Sequence, residues 1–212
     1  MFVLHHAMLI NIQVGDYTSA RADADALAQL TAEKDAPWWR ASEMFLRGYL
    51  LTFVREASDA IDAITTGLAA SQPTKAWVPL LLIYLAKAHS EMNEREESLR
   101  GITEAMTKLE TTKEKWCEAE VHRIAGEIAL KSPQPDAAKA QAYCERALTV
   151  ARQQQAKSWE LRAAMSMARL WRDQEKRKSA RELLAPVYGW FTEGFDTRDL
   201  KEAKVLLDEL AG

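Results

Sequence analysis

Six side chains in this 212-residue sequence are the obvious candidates for metal binding or nucleophilic chemistry: His5, His6, His89, His122, Cys117 and Cys144. A zinc site gathers its ligands at short spacings, and neither His-Glu-x-x-His nor Cys-x-x-Cys occurs. The adjacent His5 and His6 point to different sides of a helix and do not chelate one ion together. The two cysteines lie 27 residues apart, which suits a reducing compartment and two ordinary thiols. Cys117 beside Trp116 and Cys144 within a helical stretch read as small buried hydrophobes. Phosphate-cradling and nucleophile-elbow signatures are missing, and no Gly-Lys pair is present. The residues therefore predict no enzyme, no cofactor and no metal.

What remains is recognition chemistry. Arg162, Arg169 and Arg172 fall on one stripe of a helix, and arginine's planar fork of donors suits carboxylates. Tryptophans at Trp39, Trp77, Trp116 and Trp159 stand 38, 39 and 43 residues apart. Such a row has the chemistry to stack bases or grip a peptide. Because each Trp opens an apolar helical segment, the spacing instead predicts four core-packing anchors, with Trp38 partly exposed.

Those residues must be carried by helices. Ala, Leu, Glu, Lys and Arg make up 107 of 212 residues, whereas Gly and Pro supply 14, too few to turn the strands of a sandwich or barrel. Small residues recur in register with the tryptophans: Gly48, Ala86, Gly126 and Ala168; then Ala60, Ser98, Ala140 and Ala180; then Gly67, Ala105 and Ala147, with Val187 in the last copy. Ala20 and Leu27 extend the pattern backwards. A fixed period with small residues at set offsets marks stacked helical hairpins, whose helices approach closely there. The fold expected is an all-α, tetratricopeptide-like solenoid forming a single domain over 1–212. Its five units of about 40 residues are 1–35, 36–73, 74–112, 113–157 and 158–195, with a capping helix at 197–211.

Punctuation places the helices. Gly15-Asp16 separates the first two, and Pro37 opens the third. Thr74 is expected to cap the fifth, and Asn93 marks the turn into the sixth. Thr111-x-x-Glu114 reads as a capping box before Trp116. Ser132-Pro-Gln-Pro135 is a loop, and Ser158 is expected to cap the ninth helix. The tenth is expected to reach about Phe191, with Gly194 closing it. The last helix carries Leu200, Ala203, Leu206, Leu207 and Leu210 on one side and charges on the other. The first helix, in contrast, offers Phe2, Val3, Leu4, Met8, Leu9, Ile10 and Ile12 on more than one side. It is read equally as an ordinary packing helix or as an edge for self-association or partner docking.

The run from Gln155-Ala-Lys-Ser-Trp159 to Leu170-Trp171, followed by Ala180-Arg-Glu-Leu-Leu-Ala-Pro-Val-Tyr-Gly-Trp-Phe to Asp196, and Asp199-Leu-Lys-Glu-Ala, resembles the C-terminal tetratricopeptide-type region of large bacterial signalling proteins. In those proteins an adenylate/guanylate cyclase domain and a predicted regulatory ATPase precede the repeats. The likeness is close from about Lys131 to Leu210 and looser, but in register, back to about Trp39. It implies a regulatory or scaffolding role with a protein or peptide partner, such as an upstream cyclase or ATPase module, and no cyclase or ATPase activity, whose motifs are missing.

Aligning the units on their small residues puts Tyr49, Lys87, Glu127 and Arg169 at one inward position. Tyr49, Tyr84, Arg123, Arg162, Arg169 and Arg172 are the candidate partner-binding residues, facing an acidic or amphipathic segment. The competing reading is an ion-pair ladder, with Glu120 and Glu127 neutralising Arg162 and Arg169 and leaving Arg123 and Arg172 exposed to a partner. Only Asn11 and Asn93 are asparagines, so the Asn-plus-Lys carboxylate clamp of some tetratricopeptide domains cannot be assembled. A net charge of −3 and a pI of about 5.9 disfavour nucleic acid as a whole-chain partner. A nucleic-acid- or nucleotide-responsive regulator using the basic second half of the groove is the alternative, and an enzyme without a recognisable motif is the remaining class. No signal-peptide pattern or bilayer-length apolar run is seen, so a cytoplasmic protein without membrane contact is expected.

Overall fold

The computed structural model describes residues 1–70, 76–131 and 134–211. Eleven helices and no strand occur among the described residues. They divide between two compact units, Met1–Glu114 and Lys115–Gly212. The first holds α1 (Phe2–Val14), α2 (Tyr17–Glu33), α3 (Pro37–Leu51), α4 (Ala57–Ala70), α5 (Val78–Glu91) and α6 (Arg95–Thr112). The second holds α7 (Glu118–Lys131), α8 (Ala137–Gln153), α9 (Lys157–Asp173), α10 (Arg177–Tyr188) and α11 (Arg198–Glu209).

Small side chains bring successive helices together where the period places them. A methyl group on Gly48 would lie 2.5 Å from Ile64 Cγ1 and 2.8 Å from the Ile64 amide nitrogen, and one on Gly67 would lie 2.7 Å from the Phe45 nitrogen. Because Gly48 meets Ala60 and Ile64 while Gly67 meets Ala41 and Phe45, α3 and α4 run antiparallel. In the next hairpin Ser98 Oγ donates to the Ala86 carbonyl at 2.8 Å, and Gly101 stands against Ala86. In the second unit Gly126 fits against the Ala140 carbonyl and Cys144 Sγ. Ala20, Ala60, Ala86, Ala105, Ala140, Ala147, Ala168 and Ala180 are all fully buried.

The tryptophans are placed otherwise. Trp39, Trp77 and Trp159 are half-buried, and Trp116 is 36 % exposed. Each stands in or just before the first turn of a helix, at the open end of its hairpin. Trp159 rests on Ala119, Val150 and Ala151, with the Arg162 guanidinium 5.0 Å from its ring centroid. The core-anchor expectation is corrected accordingly. Trp38 is exposed.

Two caps also differ from expectation. Thr111 lies in the last turn of α6, its hydroxyl donating back to the Thr107 carbonyl, so no capping box forms with Glu114. Ser158 is the second residue of α9, whose N-cap is Ala156. The tenth helix ends at Tyr188 rather than near Phe191. Asp16 and Asp136, in contrast, cap α2 and α8 by accepting from the Ser19 and Lys139 amides. Thr74 and the Ser132-Pro133 part of the predicted loop lie outside the described residues.

Left-handed residues stand in the connections between helices at a regular interval, Gly194 lying beyond the end of α10 rather than closing it. Gly15, Asp35, Arg55, Asn93, Lys113, Gln155, Glu175 and Gly194 all have positive φ, and within the first three, the next two and the last three the spacing is 19 or 20 residues. At most of them the following amide reaches back five residues to a carbonyl, as in Glu94 to His89 at 2.9 Å and Lys176 to Trp171 at 2.8 Å, the Schellman arrangement. One turn thus serves both the bend inside a hairpin and the bend to the next.

Within the first unit α3 touches both α1 and α5, and within the second α9 touches both α7 and α11. The odd-numbered helices are therefore neighbours within each unit. The last helix stands beside α9 where the first helix of another hairpin would stand. It buries Leu200, Ala203, Leu206 and Leu210 there, with Leu207 half-buried.

Candidate functional site

In the Met1–Glu114 unit the contact between alternate helices is aromatic. Tyr49 of α3 and Tyr84 of α5 are fully buried, their ring centroids 4.6 Å apart and edge to face. Phe53 adjoins both, and Gln13 of α1 donates to the Tyr49 hydroxyl at 2.9 Å. Lys87, aligned with Tyr49 by the period, gives its ammonium to the Thr52 carbonyl at 3.1 Å. With no exposed ring surface, Tyr49 and Tyr84 act in this structure as mortar between helices and present nothing to a partner.

In the Lys115–Gly212 unit the equivalent contact is ionic. Arg123 is 8 % exposed and donates through Nε and Nη2 to both oxygens of Glu120, at 2.6 and 2.7 Å. Its Nη1 reaches Glu127 and, across to α9, Ser166 Oγ at 3.3 Å. On α9, Arg162 donates to Asp199 at 2.5 Å, Arg169 to Glu202 at 3.0 Å and Arg172 to Glu209 at 2.6 Å. Rising numbers on α9 meet rising numbers on α11, so the two helices run parallel.

The arginine stripe is real, and the chain's own C-terminal helix supplies its carboxylates. Glu120 and Glu127 both hold Arg123, while Arg172 bonds to Asp173 as well as Glu209. Arg123 and Arg172 are thus not left over for a partner. The bonds to Asp173 and Glu209 raise the Arg172 guanidinium further above its ordinary value. For Glu202, burial alone would raise the carboxyl, but Arg198 and Arg169 outweigh it and hold it below the usual range. The acidic side of α11 was visible in the sequence. Its destination depended on α11 docking parallel to α9.

The candidates for metal and thiol chemistry are dispersed. No group of three His, Cys, Asp or Glu side chains converges among the described residues. Cys117 and Cys144 are buried, and burial pushes the Cys144 thiol up to about 11, away from thiolate chemistry. Among the described residues no helix is long and apolar enough to cross a membrane.

No family model and no curated protein matches this chain.

Two histidines give the fold a pH signature. His5 of α1 bonds through Nδ1 to the buried Ser42 hydroxyl of α3 at 2.9 Å. Burial, with His6 adding a smaller repulsion, lowers it to about 4. His122 has a buried Nδ1 without a hydrogen-bond partner. Burial lowers it to about 4, despite the opposing pull of Glu118. Both rings stay neutral in the fold, while in an unfolded chain they would protonate near the ordinary 6.5. Unfolding then takes up protons, so stability is full above about pH 6.5 and falls as pH drops towards 4. The loss expected is about 1–3 kcal/mol per histidine. Urea midpoints compared at both ends of that window should show it, and His5→Gln with His122→Gln should flatten the slope. Glu118 and Glu160 contribute elsewhere. Burial opposes their ionisation, but bonds from Arg146 and Lys115, and from Lys157 and Arg152, outweigh it and keep both below the ordinary carboxylate value. Their stabilisation is lost only below about pH 4.5.

Proposed function

We propose that the chain is a tetratricopeptide-like solenoid acting as a non-catalytic protein-interaction or regulatory module of a bacterial signalling system in the cytoplasm. The observation that carries this reading is the repetition of one hairpin geometry. The same small-residue contacts and the same left-handed turn recur at nearly constant intervals, the construction that helical repeat proteins use to build binding surfaces. The resemblance of the second half to the repeat tails of cyclase–ATPase proteins supplies the class of partner. The pairing of Arg162, Arg169 and Arg172 with α11 removes the positive stripe on which a nucleic-acid reading would depend. Self-association through α1 belongs to the same proposal, because Phe2, Val3, Ile10 and Val14 stand exposed on it, and exposed apolar patches tend to be interfaces.

Copurification of the full chain with cyclase and ATPase modules of signalling proteins from the same genome tests the reading. Stoichiometric retention of one such module is the expected outcome. Failure of all of them to be retained, with the chain folded and helical by circular dichroism, would overturn the signalling assignment.

A further inference from the structure

Away from the α9–α11 contact, α10 turns Ala180, Leu184 and Val187 into the core and presents the opposite side to solvent. There Arg177, Lys178 and Arg181 line an open cleft of about 720 Å³ together with the exposed Ala185 and Pro186 and the largely buried Leu210. Lys178 is shared with Glu182 at 3.8 Å. No ion pair or hydrogen bond among the described residues engages the Arg177 or Arg181 guanidinium, whereas every other arginine of the Lys115–Gly212 unit meets a carboxylate. Arg177 and Arg181 are four residues apart, a like-charge spacing that disfavours the isolated helix. Pro186 lies inside α10 and has no N–H to give the Glu182 carbonyl, which leaves an acceptor on the same side.

We propose that this cleft is a docking site for an acidic, apolar-studded protein segment, whose carboxylates meet Arg177 and Arg181 and whose apolar side chains cover Ala185 and Pro186. The inference rests on the reading of the chain as a protein-interaction module and names the surface and the chemistry of its partner. Charge complementarity selects the occupant: α11 already shows that arginines of this unit are matched by carboxylates on an amphipathic helix, and a cleft edged by two arginines without such a match complements a segment that brings its own. A peptide fits better than a nucleic acid, since the cleft has no aromatic side chain on which a base would stack, and Glu182 lines it.

The probe is a fluorescein-labelled peptide of four Glu-Glu-Leu repeats, titrated with the full chain and read by fluorescence anisotropy at low and physiological salt. Saturable, salt-weakened binding is expected. Arg177→Glu with Arg181→Glu should reduce the affinity about tenfold or more. The equal charge change Arg95→Glu with Arg100→Glu on α6 should leave it within about twofold. All four side chains are exposed, so unchanged circular dichroism is expected throughout. No saturable binding, an equal loss in both double variants, or tighter binding of a single-stranded oligonucleotide of the same length would overturn the proposal. A signalling module that still copurifies with the Arg177/Arg181 variant would sink the cleft while leaving the broader function standing. Peptide binding at the cleft without any signalling partner would do the reverse.

Discussion

Arg123→Met is expected to be the most damaging single polar substitution, lowering the stability of the Lys115–Gly212 unit by about 3–5 kcal/mol. The reason is the group left behind. Glu120 is 1 % exposed, and both its oxygens accept from the same guanidinium. Methionine fills much of the volume but takes from that buried carboxylate the guanidinium that holds both its oxygens, and the link to Ser166 of α9 goes with it. Pairing the change with Glu120→Met should recover most of the loss, because removing both partners of a buried pair is far cheaper than removing one. Denaturant midpoints of the two variants decide the matter. A single variant as stable as the parent would mean that water reaches Glu120 in solution.

Gly67→Ala should also destabilise, by about 1–3 kcal/mol, at a place where helix propensity argues the other way. On an open helix the same change gains about 1 kcal/mol. Here the new methyl would fall 2.7 Å from the Phe45 amide nitrogen and 3.0 Å from the Ala41 carbonyl oxygen. Both are backbone atoms of α3 that no rotamer change can move. The helices would have to separate, loosening the contact at Gly48 as well. A melting temperature lowered by several degrees is expected, roughly 2–4 °C per kcal/mol for a chain of this size. A rise would show that α3 and α4 lie farther apart than the structure places them.

The small-residue register was legible because it reflects a volume limit. Where two backbones touch, only Gly, Ala or Ser fits, and the sequence repeats that restriction at each crossing. The tryptophans misled because a recurring position beside an apolar segment was taken for burial, whereas the rings stand at or before helix starts and stay partly open to solvent. The turns were half legible. Gly15, Asn93 and Gly194 are residue types that accept positive φ readily, whereas Arg55, Gln155 and Glu175 carry no such mark and are held there by the helices they join, at about 1–2 kcal/mol each. Among the site candidates, the spacing of Arg162, Arg169 and Arg172 correctly placed them on one stripe. What they face was hidden, because it depends on which neighbour α11 covers. Tyr49 and Tyr84 looked like recognition residues for their chemistry, and the abutting of α3 against α5 encloses them.

Within each unit the succession of short turns, with neighbouring helices packed together and the odd-numbered ones touching in turn, bears on how the chain reaches its native state. Almost every contact closes a loop of a few tens of residues, so little entropy is lost before a contact is rewarded. Chains built this way fold early and quickly, hairpin by hairpin, and do not wait for distant segments to meet. A nascent chain would complete α1 to α4 while its C-terminal half was still being synthesised. Arg162, Arg169 and Arg172 would in turn stay exposed and cationic until residues 198–209 emerged, when the docking of α11 quenches their charge.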